Sequence, residues 1–170
     1  MPRSRRITFL ASAAVLLPAV LAAAGCGSSG SGPPKTASGQ SATIGVANND
    51  LGEILVNSQG RTLYLFKRDS GAMSACTGAC ASNWPPLRAT GKPTVGTGAK
   101  TSIVATSPRS DGKSQVTYNG HPLYLFEGDK KPGDTNGEGL TAFGGGWFAL
   151  SPAGNQVSDQ SSNPGDGSGY

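Results

Sequence analysis

At 170 residues the chain is sized for one domain, with part of its length given to export rather than to a fold. The formal net charge of +4 misleads: without Arg3, Arg5 and Arg6 the remainder carries 11 basic against 10 acidic side chains, which excludes a basic nucleic-acid-binding face. With one histidine, three cysteines, no phosphate loop, no dinucleotide fingerprint and no zinc-protease helix, the common nucleotide and zinc enzyme classes are excluded as well.

Met1 to Arg6 is basic and free of acid, and Ile7 to Ala24 is an apolar run ending in small residues. This is the layout of a secretory signal over residues 1–25. The run is near the lower length limit of a membrane span, but Pro18 and the small residues before Cys26 favour cleavage. Leu21-Ala-Ala-Ala-Gly25-Cys26 resembles the lipobox of bacterial lipoproteins, with Ala23 where leucine is usual. The resemblance implies diacylglycerol on the Cys26 sulfur and a membrane anchor. Ser4-Arg5-Arg6 with Phe9-Leu10 loosely resembles a twin-arginine signal, although ordinary secretion is the default. Gly27 to Gln40 is rich in Gly, Ser and Pro with one charge, Lys35, so residues 26–42 read as a lipidated cysteine and flexible tether.

The body of the chain repeats itself. Val56-Asn-Ser-Gln-Gly60-Arg-Thr-Leu63-Tyr64-Leu65-Phe66-Lys-Arg-Asp69 aligns at an offset of 60 with Val116-Thr-Tyr-Asn-Gly120-His-Pro-Leu123-Tyr124-Leu125-Phe126-Glu-Gly-Asp129. A tryptophan follows each copy, Trp84 and Trp147. Each copy is expected to form a β-hairpin: Glu53 to Asn57 with Arg61 to Phe66, and Ser114 to Tyr118 with His121 to Phe126 around Asn119-Gly120. Thr101 to Thr106 reads as a further strand, with Thr43 to Ala47 and Trp147 to Leu150 as weaker ones. One helix is expected from about Ala72 to Ser82, with Trp84 extended before Pro85.

In Leu-Tyr-Leu-Phe the leucines point to one side of the strand and the aromatics to the other. Neither side is polar, so both need cover. The expected fold is an all-β duplicated sandwich or small barrel over residues 43–152, built from two pseudo-symmetric hairpin units. A short helix carries the Cys-x-x-x-Cys segment. Ala153 to Tyr170 is polar and Gly/Ser-rich and is expected to be disordered.

Tyr64, Phe66 and Asp69, and again Tyr124, Phe126 and Asp129, resemble the tyrosine-x-aromatic-x-x-aspartate motif of a bacterial predicted-lipoprotein family, also described as a secreted repeat of unknown function. Cys76-Thr-Gly-Ala-Cys80, Trp84-Pro85-Pro86-Leu87, Asn119-Gly-His-Pro-Leu-Tyr124 and Gly133-Asp134 resemble the same family across residues 43 to 152. The resemblance implies duplication, export and frequent lipidation, and no particular activity.

Several groups invite chemistry. Cys76 and Cys80, one helical turn apart, suit a structural disulfide in an oxidising compartment. With His121 they also suit Cu(I), which prefers soft ligands, or a redox role; otherwise no cofactor is expected. In spacing alone they resemble copper chaperones that metallate cytochrome oxidase. Asp69 and Asp129, related by the duplication, suit either glycoside hydrolysis or turn capping. Asp134-Thr-Asn136-Gly-Glu138 begins like a calcium loop, but Gly145 stands at the twelfth position and excludes an EF-hand. The aromatics suit a core, or a pocket framed by the two tyrosines.

The reading overall is a lipid-anchored extracytoplasmic module, more a binding or cell-envelope-associated protein than an enzyme. Its partners are the membrane through Cys26 and an envelope component or small ligand, with no nucleic acid. A copper or redox protein and an aspartate hydrolase are the alternatives.

Overall fold

The computed structural model describes residues 42–157. The signal, Cys26, the tether before Ala42 and the tail beyond Val157 lie outside the described residues. The strands are β1 (Thr43–Asn49), β2 (Gly52–Val56), β3 (Tyr64–Phe66), β4 (Thr94–Val95), β5 (Val104–Pro108), β6 (Ser114–Tyr118), β7 (His121–Pro122), β8 (Thr141–Ala142) and β9 (Gly145–Ala149), with one helix, α1 (Ala79–Asn83), after β3. They form three small sheets in the orders β2-β1-β4, β3-β9-β8 and β5-β6-β7. All pairs are antiparallel except β1 with β4. The all-β duplicated reading holds, as an arrangement of small sheets rather than a closed barrel.

Alternation along the repeated tetrapeptide separates two cores. Leu63, Leu65 and Leu123 join Ile44, Leu55, Val116, Tyr118 and Leu150 in one cluster, with Leu125 packed against it. Tyr64, Phe66 and Tyr124 join Trp84, Trp147, Cys76 and Cys80 in the other, with Phe126 packed against it. Both sides of the segment are therefore covered, as its lack of a polar side requires.

Each copy is a bent hairpin. At Asn119 (φ 49°) and Gly120 (φ 79°) both turn residues have positive φ, the geometry for which Asn-Gly is suited, and β6 and β7 flank them. Beyond Leu123, whose N–H still donates to the Val116 carbonyl at 2.9 Å, the segment turns to partners outside its own hairpin: the Tyr124 N–H donates to the Tyr64 carbonyl at 3.0 Å and the Leu125 N–H to that of Pro85 at 2.9 Å. The expected strand from His121 to Phe126 therefore breaks after Pro122. The Arg61 to Phe66 strand likewise meets Val56 only at Thr62, and from Tyr64 onward pairs with β9.

Three other elements differ from expectation. Thr101–Ile103 is a 3-10 turn and the strand is Val104–Pro108, because its partner β6 ends at Tyr118, opposite Val104. The helix is confined to Ala79–Asn83: Asp69 accepts the Ala75 N–H at 2.8 Å and Gly78 has φ 54°, which together hold the preceding loop out of helical geometry. At the C-terminal end the structure continues past 152, with a bridge from Leu150 to Gln156 and with Val157 buried, since one apolar side chain there closes the aromatic core.

Candidate functional site

The repeated motif places its chemistry at a pseudo-twofold axis between Tyr64 and Tyr124, whose backbones bond reciprocally, N–H to carbonyl, at 2.9 and 3.0 Å. In each copy tyrosine and phenylalanine are two strand positions apart and share a side. A turn follows, in which the aspartate N–H returns to the phenylalanine carbonyl, Asp69 to Phe66 at 3.1 Å and Asp129 to Phe126 at 3.2 Å. The turn positions each aspartate for a tyrosine of the other copy. Tyr64 donates its hydroxyl to Asp129 Oδ2 at 2.8 Å, and Tyr124 donates to Asp69 Oδ2 at 2.8 Å. The second carboxylate oxygens accept backbone N–H groups from their own loops, Asp69 from Ala75 at 2.8 Å and Asp129 from Asn136 at 3.0 Å.

The tryptophans complete the exchange. Trp84 and Trp147 stack on each other with ring centres 3.9 Å apart and planes 6° from parallel. Phe66 stacks on the outer side of Trp147 at 4.0 Å, and Phe126 on that of Trp84 at 4.3 Å. Tyr64 meets Trp84 edge-on at 5.4 Å and Tyr124 meets Trp147 edge-on at 5.2 Å. Such contacts add roughly 0.5–1.5 kcal/mol each beyond area burial.

The backbone follows the same rule. Leu55 N–H bonds the Leu150 carbonyl, Leu150 N–H that of Leu63, and Leu63 N–H that of Leu55, at 2.8, 3.1 and 2.9 Å. The counterpart ring runs from Val116 to Leu87, Leu87 to Leu123 and Leu123 to Val116, at 2.8, 2.8 and 2.9 Å. In each ring the hairpin belongs to one repeat and the third strand-like segment to the other.

The sequence profile of a family described as "Secreted repeat of unknown function" matches residues 45–88 and 105–151. The chain belongs to that family. Its two matched stretches are the two hairpins, each with its following tryptophan segment, so in this secreted repeat protein the exchange runs between repeats. No curated protein and no solved structure matches the chain. Among the described residues no helix is long and apolar enough to cross a membrane.

Electrostatics mark the aspartates as interior groups. Burial pushes the Asp69 carboxyl up to about 6, against the opposing pull of the Ala75 N–H, the Tyr124 hydroxyl and the Arg109 charge. Burial also raises Asp129, with Tyr64 and Asn136 pulling it back. Both tyrosine hydroxyls are held well above their ordinary range, first by burial and then by the carboxylates they face. They are thus donors at neutral pH, as their geometry requires.

Arg109, buried at 8 % exposure, was not legible as a site residue. It donates to Ser74 Oγ at 2.7 Å, Gln115 Oε1 at 2.5 Å and the Cys76 carbonyl at 2.6 Å. Ser74 Oγ lies 2.7 Å from the Tyr124 hydroxyl, which links the arginine to the Asp69 arm. Only its place just before the turn-forming Ser110-Asp111-Gly112 is visible in the sequence, and nothing there marks it as buried.

Cys76 and Cys80 form a disulfide with Cα atoms 5.3 Å apart. The pair bridges the loop to the start of α1, and both residues are buried. Among the described residues no group of three His, Cys, Asp or Glu side chains could hold a metal ion, so His121 does not join the cysteines in a cluster. His121 is half-buried, with its pKa lowered by burial and by the Lys67 charge. The calcium-like run is likewise occupied internally. Asp134 caps the Lys130 and Lys131 N–H groups, Asn136 bonds Asp129, and Glu138 accepts the Ala149 N–H. A small cavity of about 260 Å³ lies elsewhere, lined by Leu51, Gly52, Glu53, Ser151, Pro152 and Val157.

Proposed function

We propose that this secreted repeat protein is a lipid-anchored extracytoplasmic module with a non-catalytic binding or envelope-associated role. The observation that carries the reading is the occupation of Asp69 and Asp129. Each carboxylate is bonded through both oxygens, one to the tyrosine of the opposite repeat and one to a backbone N–H. A hydrolase needs one carboxyl free to give a proton and another facing the substrate. Here both hold the two halves of the fold together. Anchoring is supported by the sequence at Leu21 to Cys26 and by membership of a secreted family.

Two measurements test this. Intact mass of the membrane-extracted protein is expected to show Cys26 as the N-terminal residue carrying diacylglycerol, and Cys26→Ser is expected to abolish that modification. A mature protein starting at another residue without lipid overturns the anchoring. For the non-catalytic part, the parent protein is expected to show no hydrolytic activity toward glycans, and Asp69→Asn and Asp129→Asn are expected only to lower stability. A glycan-cleaving activity lost in a variant that remains folded overturns it.

A further inference from the structure

Among the described residues Met73, Leu140 and Phe143 are the exposed large apolar side chains, and two of them share one hairpin. Leu140 leads into β8, and Phe143-Gly144 form the turn to β9. Both turn residues have positive φ, 54° at Phe143 and 84° at Gly144. This is the same geometry as Asn119-Gly120, with a bulky aromatic where asparagine is the suitable residue. Phenylalanine has no side-chain oxygen to bond locally, and its Cβ crowds the following carbonyl. Phe143 remains 39 % exposed, so part of the aromatic stays in solvent despite the strain. A backbone held against preference with an aromatic left partly in solvent points to something that the ring meets.

The surroundings indicate what that is. Arg68 donates to the Phe143 carbonyl at 3.0 Å, and a Cβ added at Gly144 would come within 3.2 Å of the same guanidinium nitrogen. The cation is thus packed directly against the tip. Next to it, Lys67 places its ammonium 5.7 Å from the centre of the Phe148 ring on β9. An apolar tip beside the Arg68 cation, with the exposed Lys67 one residue earlier in the chain, matches a phospholipid surface, with the ring at the boundary of headgroup and acyl chain and the cations near phosphate.

We infer that the Leu140–Phe143 hairpin tip, with Arg68 and Lys67, is a contact site for an anionic phospholipid bilayer. The inference rests on acylation of Cys26. From Cys26 to Ala42 the chain can span no more than about 55 Å, so an anchored domain is always within that distance of lipid. A weak contact is then sufficient to orient the domain on its own membrane.

The test uses the full-length protein, extracted from membranes and reconstituted into phosphatidylglycerol vesicles carrying a headgroup-depth spin label. With Cys76 and Cys80 paired and Cys26 acylated, Phe143→Cys supplies the free thiol for an environment-sensitive dye; Ser58→Cys, at an exposed turn, supplies the control. The label at 143 is expected to be quenched strongly and that at 58 weakly. Replacing Arg68 or Lys67 by Gln is expected to lower the ratio of docked to undocked protein by about fivefold per charge. Equal quenching at 143 and 58 in a protein whose mass shows the diacylglycerol overturns the contact site alone. A mass without the lipid overturns the anchoring, and this inference falls with it.

Discussion

The Tyr64 hydroxyl donates to the Asp129 carboxylate at 2.8 Å, although Asp69 is the aspartate of its own motif. Tyr124 and Asp69 make the reciprocal bond at 2.8 Å. The tyrosine-x-aromatic-x-x-aspartate spacing is therefore not a self-contained site. It is half of a clasp, and the duplication supplies the other half.

That clasp predicts a specific pattern of coupling. A double-mutant cycle between Tyr64→Phe and Asp129→Asn, read by urea unfolding, is expected to give an interaction energy of about 1–2 kcal/mol, as for a hydrogen bond to a charged group. The same cycle between Tyr64→Phe and Asp69→Asn is expected to be near additive. Equal coupling in both cycles would contradict the exchange.

The exchange also makes each repeat incomplete. Each hairpin closes its backbone ring only with a segment from the other repeat. Residues 42–98 and 99–157, prepared as separate chains, are expected to lack native near-ultraviolet circular dichroism singly and to regain it when mixed. Trp84→Ala and Trp147→Ala are each expected to cost about 3–5 kcal/mol, since either removes half of the central stack.

Stability is expected to rise on mild acidification. Asp69 has a folded pKa of about 6 against an ordinary 3.8, so the native state binds its proton more tightly than the unfolded chain does. The associated stabilisation is complete below about 3.8 and is lost as pH rises through about 6. Asp129 and Glu138, both raised by burial, act in the same direction. His121, with a lowered pKa, opposes them just below its ordinary 6.5. Melting temperatures are therefore compared for the parent and Asp69→Asn between pH 4.5 and 7.5. The parent is expected to lose stability more steeply than the variant as pH rises.

Opening the Cys76–Cys80 bridge is expected to lower stability by about 2 kcal/mol, the entropic value for so short a loop. A Cys76→Ser/Cys80→Ser variant measured by urea unfolding checks this. In the unreduced protein a thiol assay is expected to find neither cysteine free.

Phe143→Asn carries the opposite sign. Asparagine tolerates the positive φ at this turn, and Phe143 is only partly covered, so relief of the backbone strain is expected to outweigh the lost contacts and raise stability by about 1 kcal/mol. That corresponds to a melting-temperature rise of about 4 °C for a domain of this size. A fall would make Phe143 a packing residue and remove the strain on which the bilayer contact rests.

By itself the sequence determined the features carried by local pattern. The duplication, the two unlike sides of Leu-Tyr-Leu-Phe and the Asn119-Gly120 turn were all legible, because side-chain alternation and turn dihedrals are properties of a few adjacent residues. Cys76 and Cys80 were legible as a disulfide pair, with a metal or redox role left open. Tertiary structure decided what joins what. A tyrosine that sees two equivalent aspartates, one in each repeat, has no local signal to choose between them. The choice follows from which tryptophan segment pairs with which hairpin. The break after Pro122 and the burial of Arg109 share that origin, since each depends on a partner distant in sequence: Tyr64 and Pro85 for the first, Ser74 and Cys76 for the second. The short helix instead reflects a nearby side chain, Asp69, capturing the Ala75 N–H, which apolar and polar pattern alone does not reveal.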